Sequence, residues 1–143
     1  MDSCGIFEKF DLQNNLVKEY QYWYILIRTR QSYLGNCVAI LKRHVFPISQ
    51  LTQEESEEYS NLVKEVEISL IKSFNCEFVQ TATIMYIDKH VHTFIFPRYQ
   101  GNIEFNNKTW VDDKIPDPLI NKSPDCTPAD IVLIKNKILE NLK

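Results

Sequence analysis

Two of the chain's three histidines, His90 and His92, stand two residues apart in the run Asp88-Lys-His-Val-His-Thr-Phe-Ile-Phe-Pro-Arg-Tyr99. Side chains alternate faces along a strand with a period of two. An extended run therefore puts His90, His92, Phe94 and Phe96 on one face and Val91, Thr93 and Ile95 on the other. Two imidazoles on one face can meet at a single ligand. Neutral imidazole attacks phosphorus, carries protons and binds metals, and its ordinary pKa of about 6.5 leaves it largely unprotonated at neutral pH. The third histidine, His44, closes the upstream segment Leu41-Lys-Arg-His44. The spacing would permit a zinc site from His44, His90, His92 and a cysteine. However, Cys4, Cys37, Cys76 and Cys126 are scattered and form no Cys-x-x-Cys pair, so neither a metal nor another cofactor is expected.

The run His90-Val-His92-Thr-Phe94-Ile-Phe-Pro97-Arg98 resembles the signature of the histidine-triad (HIT) family, His-x-His-x-His followed by two apolar residues and often by Pro-Arg. The likeness spans roughly residues 20 to 120. Tyr33-Leu-Gly-Asn-Cys-Val-Ala-Ile-Leu-Lys-Arg-His44 is similar to the family's glycine turn, strand and upstream histidine. Leu51-Thr-Gln-Glu-Glu55 is similar to the start of its long helix. Thr109-Trp-Val-Asp112 through Pro116-Asp-Pro118 resembles a tail of one bacterial branch, that of diadenosine-polyphosphate hydrolases.

The resemblance implies a nucleoside mono- or polyphosphate as ligand and a covalent nucleotidyl-histidine formed on the middle histidine, then hydrolysed. Such covalent catalysis splits one hard displacement into two. The nucleophile's position is His92. His90 matches the first triad histidine, which orients its neighbour, and His44 an upstream histidine lining the same site. Arg28, Lys42, Phe94 and Arg98 are the residues expected against the nucleotide, Arg98 equally as a structural or dimer contact. A homodimer is a further implication.

Two departures bear on activity. The last triad histidine is Phe94, which has no proton to give and no hydrogen bond to offer. The glycine-glutamine-serine or -threonine run that binds phosphate in many members is replaced by Met85-Tyr-Ile-Asp88-Lys89. Losing one general acid or charge stabiliser costs on the order of 10²–10⁴ in rate. Two functions therefore follow: a nucleoside phosphate hydrolase or transferase acting through His92, or a nucleotide-binding module without turnover that serves as a sensor or partner protein. An intact-mass test for a nucleotidyl adduct separates them.

The elements that must position these residues follow from periodicity and turn chemistry. Tyr22 to Arg30 is rich in β-branched and aromatic residues and predicts a strand. Gln31 to Gly35 predicts a turn and Asn36 to Leu41 a second strand, joined as an antiparallel hairpin. Thr52 with Glu55 matches a capping box, and Tyr59, Leu62, Val63, Val66, Leu70 and Phe74 recur at helical spacing. Phe78 to Ile87 and His90 to Phe96 predict two more strands, the second stopped by Pro97, which has no amide donor. Residues 100 to 125, with Gly101, three prolines and several asparagines and aspartates, predict an ordered loop. Thr127-Pro-Ala-Asp130 opens a C-terminal helix with an apolar stripe of Ile131, Ile134, Ile138 and Leu142. In residues 1 to 20, Ile6, Phe7 and Phe10 can pack a short segment onto the core. The order predicts an α+β, HIT-like fold: an antiparallel sheet of about five strands, one long helix and a C-terminal helix.

The 143 residues suit one domain, 1–143, and 44% hydrophobic with 12% aromatic content supports a core. A net charge of −3 gives no electrostatic reason to expect duplex nucleic acid. No apolar run reaches the ~18 residues that cross a bilayer, and Met1 to Lys9 lacks the apolar core of a signal peptide, so the cytosol is the expected compartment.

Overall fold

The computed structural model describes residues 4–112 and 123–142. Five strands form one sheet in the order β1-β2-β3-β5-β4, with every neighbouring pair antiparallel: β1 Leu16–Glu19, β2 Trp23–Ile27, β3 Cys37–Leu41, β4 Phe78–Ala82 and β5 His92–Arg98. Two short helices, α1 Ile6–Lys9 and α2 Leu12–Asn15, precede β1. The long helix α3 covers Gln53–Phe74, and α4 covers Pro128–Asn141. This is the α+β arrangement expected from the sequence.

The two faces of the sheet are covered differently. On one, Trp23, Ile25, Ile27, Cys37, Ala39, Leu41 and Ile95 pack under Leu62, Val66 and Leu70 of α3 and Ile134 and Ile138 of α4. The capping box that starts α3 is complete: the Glu55 amide donates to Thr52 Oγ1 and the Thr52 amide to Glu55 Oε1. Thr127 and Asp130 repeat it at α4. Carbonyls in the last turn of a helix lack an intrahelical donor. In α4, those of Lys137 and Ile138 accept from the hydroxyls of Ser73 and Ser69 on α3, at 2.9 and 2.6 Å, which locks the two helices together. The other face carries Tyr24, Leu26, Val38, Ile40 and Phe94, and its cover is α1 and α2, through Ile6, Phe7, Phe10 and Leu12.

The β2–β3 turn is closed by Gln31, whose side chain donates to the Arg28 and Asn36 carbonyls and accepts from the Gly35 and Asn36 amides. Gly35 has φ +93°, and a Cβ there would come within 2.9 Å of Leu70. The turn needs glycine for its backbone and for its contact with α3.

Four sequence expectations are corrected. The first strand, β1, was not foreseen in residues 1 to 20. Its four residues follow directly on α2, and their burial pattern shows only Val17 fully covered. The strand expected over Phe78 to Ile87 ends at Ala82, because Ile84, Tyr86 and Ile87 turn outward and are exposed. Residues 101–112 of the expected loop are a β-hairpin, β6 Gly101–Phe105 and β7 Lys108–Asp112, turned by Asn106 and Asn107 at φ +49° and +63°. Asparagine tolerates those angles, which a two-residue hairpin turn demands. Trp110 of β7 donates its indole N–H to the Gln31 carbonyl at 2.8 Å, fastening the hairpin to the β2–β3 turn. The Pro116–Pro118 part of the expected tail lies outside the described residues.

The fourth correction concerns Pro97, which does not stop the ladder: β5 pairs with β4 as far as Arg98. The Leu41 amide bonds the Val91 carbonyl, and the Glu77 amide bonds the Arg98 carbonyl. Odd-numbered backbone groups of β5 thus face β3 and even-numbered ones face β4. Pairing with β3 ends at Cys37–Ile95, so the nitrogen of Pro97 points where no described strand lies, a position that tolerates the missing donor.

Candidate functional site

The histidine face is built as the alternation predicts. β5 begins at His92 rather than His90, yet His90, His92 and Phe94 share the face covered by α1. Thr93 lies opposite, its hydroxyl 2.8 Å from that of Thr83.

The tautomer of each ring follows from its backbone partner. His90 Nε2 stands 2.6 Å from the Leu41 carbonyl oxygen, which only accepts, so Nε2 carries the proton and Nδ1 the lone pair. His92 Nδ1 stands 2.6 Å from the His90 carbonyl oxygen, so Nδ1 carries the proton and the Nε2 lone pair is left without a hydrogen bond among the described residues. Burial holds the His92 pKa below the ordinary histidine value, against the opposing pull of the His90 carbonyl and the Asp88 carboxylate. Below that value the ring would charge; at neutral pH it is the uncharged nucleophilic form.

His92 exposes 1% of its surface and lines two cavities, one of about 230 Å³ shared with Trp23, Tyr59 and Thr93 and one of about 360 Å³ that also holds charged groups. Phe10 and Phe94 stand beside its ring, with centroids 5.9 and 5.6 Å away. Arg28 brings positive charge to the 360 Å³ cavity, Lys9 lines it paired with the Asp88 carboxylate at 2.5 Å, and Ile84, Tyr86 and Ile87 supply an apolar wall. Larger depressions of about 410 and 380 Å³ lie along α1–α2 and between α2 and α4, and no histidine lines either. Chemistry rather than size singles out the cavity at His92.

The remaining expected residues separate. Arg28 reaches the cavity, with its guanidinium carbon 4.3 Å above the Phe94 ring. Lys42 is paired with Glu19 at 2.6 Å and lies 5.0 Å over Tyr24. Arg98 is corrected as a nucleotide contact. It is 1% exposed, its Nε and Nη2 donate to the two carboxylate oxygens of Asp112 at 2.8 Å each, and it sits six residues along β5 from His92, about 20 Å at ~3.3 Å per residue. The structural alternative for Arg98 holds.

His44 meets His90: the two Nδ1 atoms are 3.0 Å apart, and Cys4 Sγ is 3.5 Å from His90 Nδ1. Cys4, His44 and His90 present one ligand atom each within 4.8 Å of one another. Thiolate and imidazole are the donors zinc prefers, and the Leu41 carbonyl already fixes His90 in the tautomer that offers Nδ1. The zinc arrangement considered from sequence thus gathers around Cys4, and His92 is not part of it. Sequence reasoning also missed Lys9 and Phe10 as cavity walls. Their only signal was the apolar spacing of Ile6, Phe7 and Phe10.

Neither protein-family models nor curated proteins match the sequence. Solved structures do. A histidine triad protein from Sinorhizobium meliloti superposes with TM-score 0.75 over 94% of both chains at 14% identity. A hypothetical histidine triad nucleotide-binding protein from Sulfolobus tokodaii gives 0.72 over 96% of this chain and 89% of its own, at 17% identity. A zinc-bound histidine triad family protein from Mycobacterium smegmatis gives 0.66 over 96% and 94%, at 12% identity. At such identities the likeness speaks for architecture, and with the five-stranded antiparallel sheet and two covering helices it establishes that this chain has the histidine-triad fold.

Proposed function

We propose that the chain binds a nucleoside phosphate in the cavity beside His92 and accepts its nucleotidyl group on His92 Nε2, as a hydrolase or transferase related to the diadenosine-polyphosphate-hydrolase branch. One observation carries this reading: the His92 Nδ1 proton is committed to the His90 carbonyl, which leaves the Nε2 lone pair uncommitted on a ring that lines a cavity. Arg28 suits a phosphate there, with Lys9 available only by leaving Asp88, and Ile84 and Tyr86 suit a nucleobase. On this reading residues 1–143 act as one domain, as a homodimer in the cytosol.

Incubation with an activated nucleotide followed by intact-mass measurement tests it. A nucleotidyl adduct is expected in the wild type and absent from His92→Ala. Binding of a nucleoside monophosphate without adduct would replace the enzyme by the non-catalytic module that Phe94 suggests.

A second reading, compatible with the first, rests on the cluster of Cys4, His44 and His90. Three such ligands hold zinc and leave a fourth position for water. Because the His90 carbonyl orients His92, this ion would buttress the nucleophile's strand. At a zinc concentration of ~100 Kd, binding adds about 2.7 kcal/mol to stability. The melting temperature is expected to rise with zinc in the wild type and not in Cys4→Ser; an equal rise in both would remove the site.

A further inference from the structure

Arg28 stands at the end of β2 with its guanidinium carbon 4.3 Å from the Phe94 ring centroid and 5.6 Å from that of Phe10. Both rings offer their faces to the cation. Its side chain forms no hydrogen bond or ion pair with any described residue. Burial lowers its pKa, and so does Arg30 nearby. A half-buried cation with its carboxylate partner missing is poised for an anion that arrives from outside. It lines the same cavity as His92, directly over the Phe94 ring, which occupies the last triad position.

We propose that Arg28 supplies at the phosphoryl group the charge stabilisation that a third imidazole would give, but not the proton, and that the site is thereby confined to nucleotidyl donors with acidic leaving groups. The inference rests on His92 as nucleophile. In the first step the Nε2 lone pair forms the P–N bond. The bond from phosphorus to the leaving oxygen breaks, and its electron pair departs on that oxygen. The guanidinium donates hydrogen bonds to phosphate oxygens, for which its planar fork is suited. It keeps all its protons, since arginine does not deprotonate in proteins. A leaving phosphate or nitrophenolate is stable as the anion and needs none. An amine would have to leave as a strongly basic amide ion, so phosphoramidates are excluded. In the second step water bonds to phosphorus, the P–N electrons return to Nε2, and the water's proton passes to solvent.

The test is single-turnover formation of the His92 adduct from three adenylyl donors: a p-nitrophenyl ester, a phenyl ester and a phosphoramidate. The expected order is a fast nitrophenyl ester, a phenyl ester slower by roughly 10²-fold or more, and no adduct from the phosphoramidate. Arg28→Ala is expected to slow the nitrophenyl ester by about 10²–10³-fold, with Arg28→Lys intermediate. Phe94→His is expected to admit the phosphoramidate. Melting curves on each variant separate loss of chemistry from loss of fold. Adduct formation at similar rates from all three donors, or an unchanged rate in folded Arg28→Ala, overturns the inference and leaves the nucleophile in place. No adduct from any donor overturns both.

Discussion

Two arginines on one sheet face meet opposite fates. Arg98, at the far end of β5, is fully buried and gives two hydrogen bonds to Asp112, whose carboxylate also accepts from the Tyr99 amide. Arg28, beside the near end of the same strand, has two aromatic rings and, among the described residues, no carboxylate. The first is electrostatically complete, so any ligand would have to displace a partner. The second is incomplete and open to a cavity. Saturation fits a scaffold role and, on the proposed reading, deficit fits function, although both residues are cations over aromatic rings.

The largest effect that would break this contrast lies at Arg98. Asp112→Ala leaves a buried cation alone and is expected to cost about 3–5 kcal/mol, read as a fall in the urea midpoint. A loss below ~1 kcal/mol would mean that Arg98 is not saturated as drawn. Next comes pH. The folded state holds His92 neutral below its ordinary value. As pH falls from about 6.5 toward the lower folded value, the unfolded chain takes up a proton that the folded one refuses, so stability declines. His92→Gln is expected to flatten that decline between pH 7.5 and 5, and an unaltered slope would place the ring outside the buried site. Adduct formation should likewise keep its acid limb below 6.5. The smallest effect is the sharpest: Arg28→Ala should change stability by less than about 0.5 kcal/mol while weakening binding of adenosine monophosphate by about tenfold. A large destabilisation would make Arg28 a second scaffold arginine.

The sequence and the structure agree where a local rule is strong. Thr52 with Glu55 and the apolar spacing through Phe74 placed α3 at its observed start and end. The period of two placed His90, His92 and Phe94 together. Distance in sequence hid the rest. Cys4 and His90 are 86 residues apart, and nothing local in either announces the other. The β6–β7 hairpin was masked by composition: Asn106 and Asn107 were read as loop residues, when their tolerance of positive φ makes them a turn between the alternating pairs Ile103–Phe105 and Lys108–Trp110. Arg98 was assigned by motif position, while its partner Asp112 becomes visible only once that hairpin folds back.

The placement of Pro97 has one more consequence. Past Ile95 the side of β5 turned away from β4 has no neighbouring strand among the described residues, and a flank of that kind, where exposed, invites foreign chains to add on and seed aggregates. Here the first amide on that flank is abolished by the pyrrolidine ring, and the next, that of Tyr99, is already consumed by Asp112. Pro97, Arg98 and Tyr99 are themselves buried, so the chain both covers this flank and leaves it no free amide donor at 97 or 99, instead of posting a lysine.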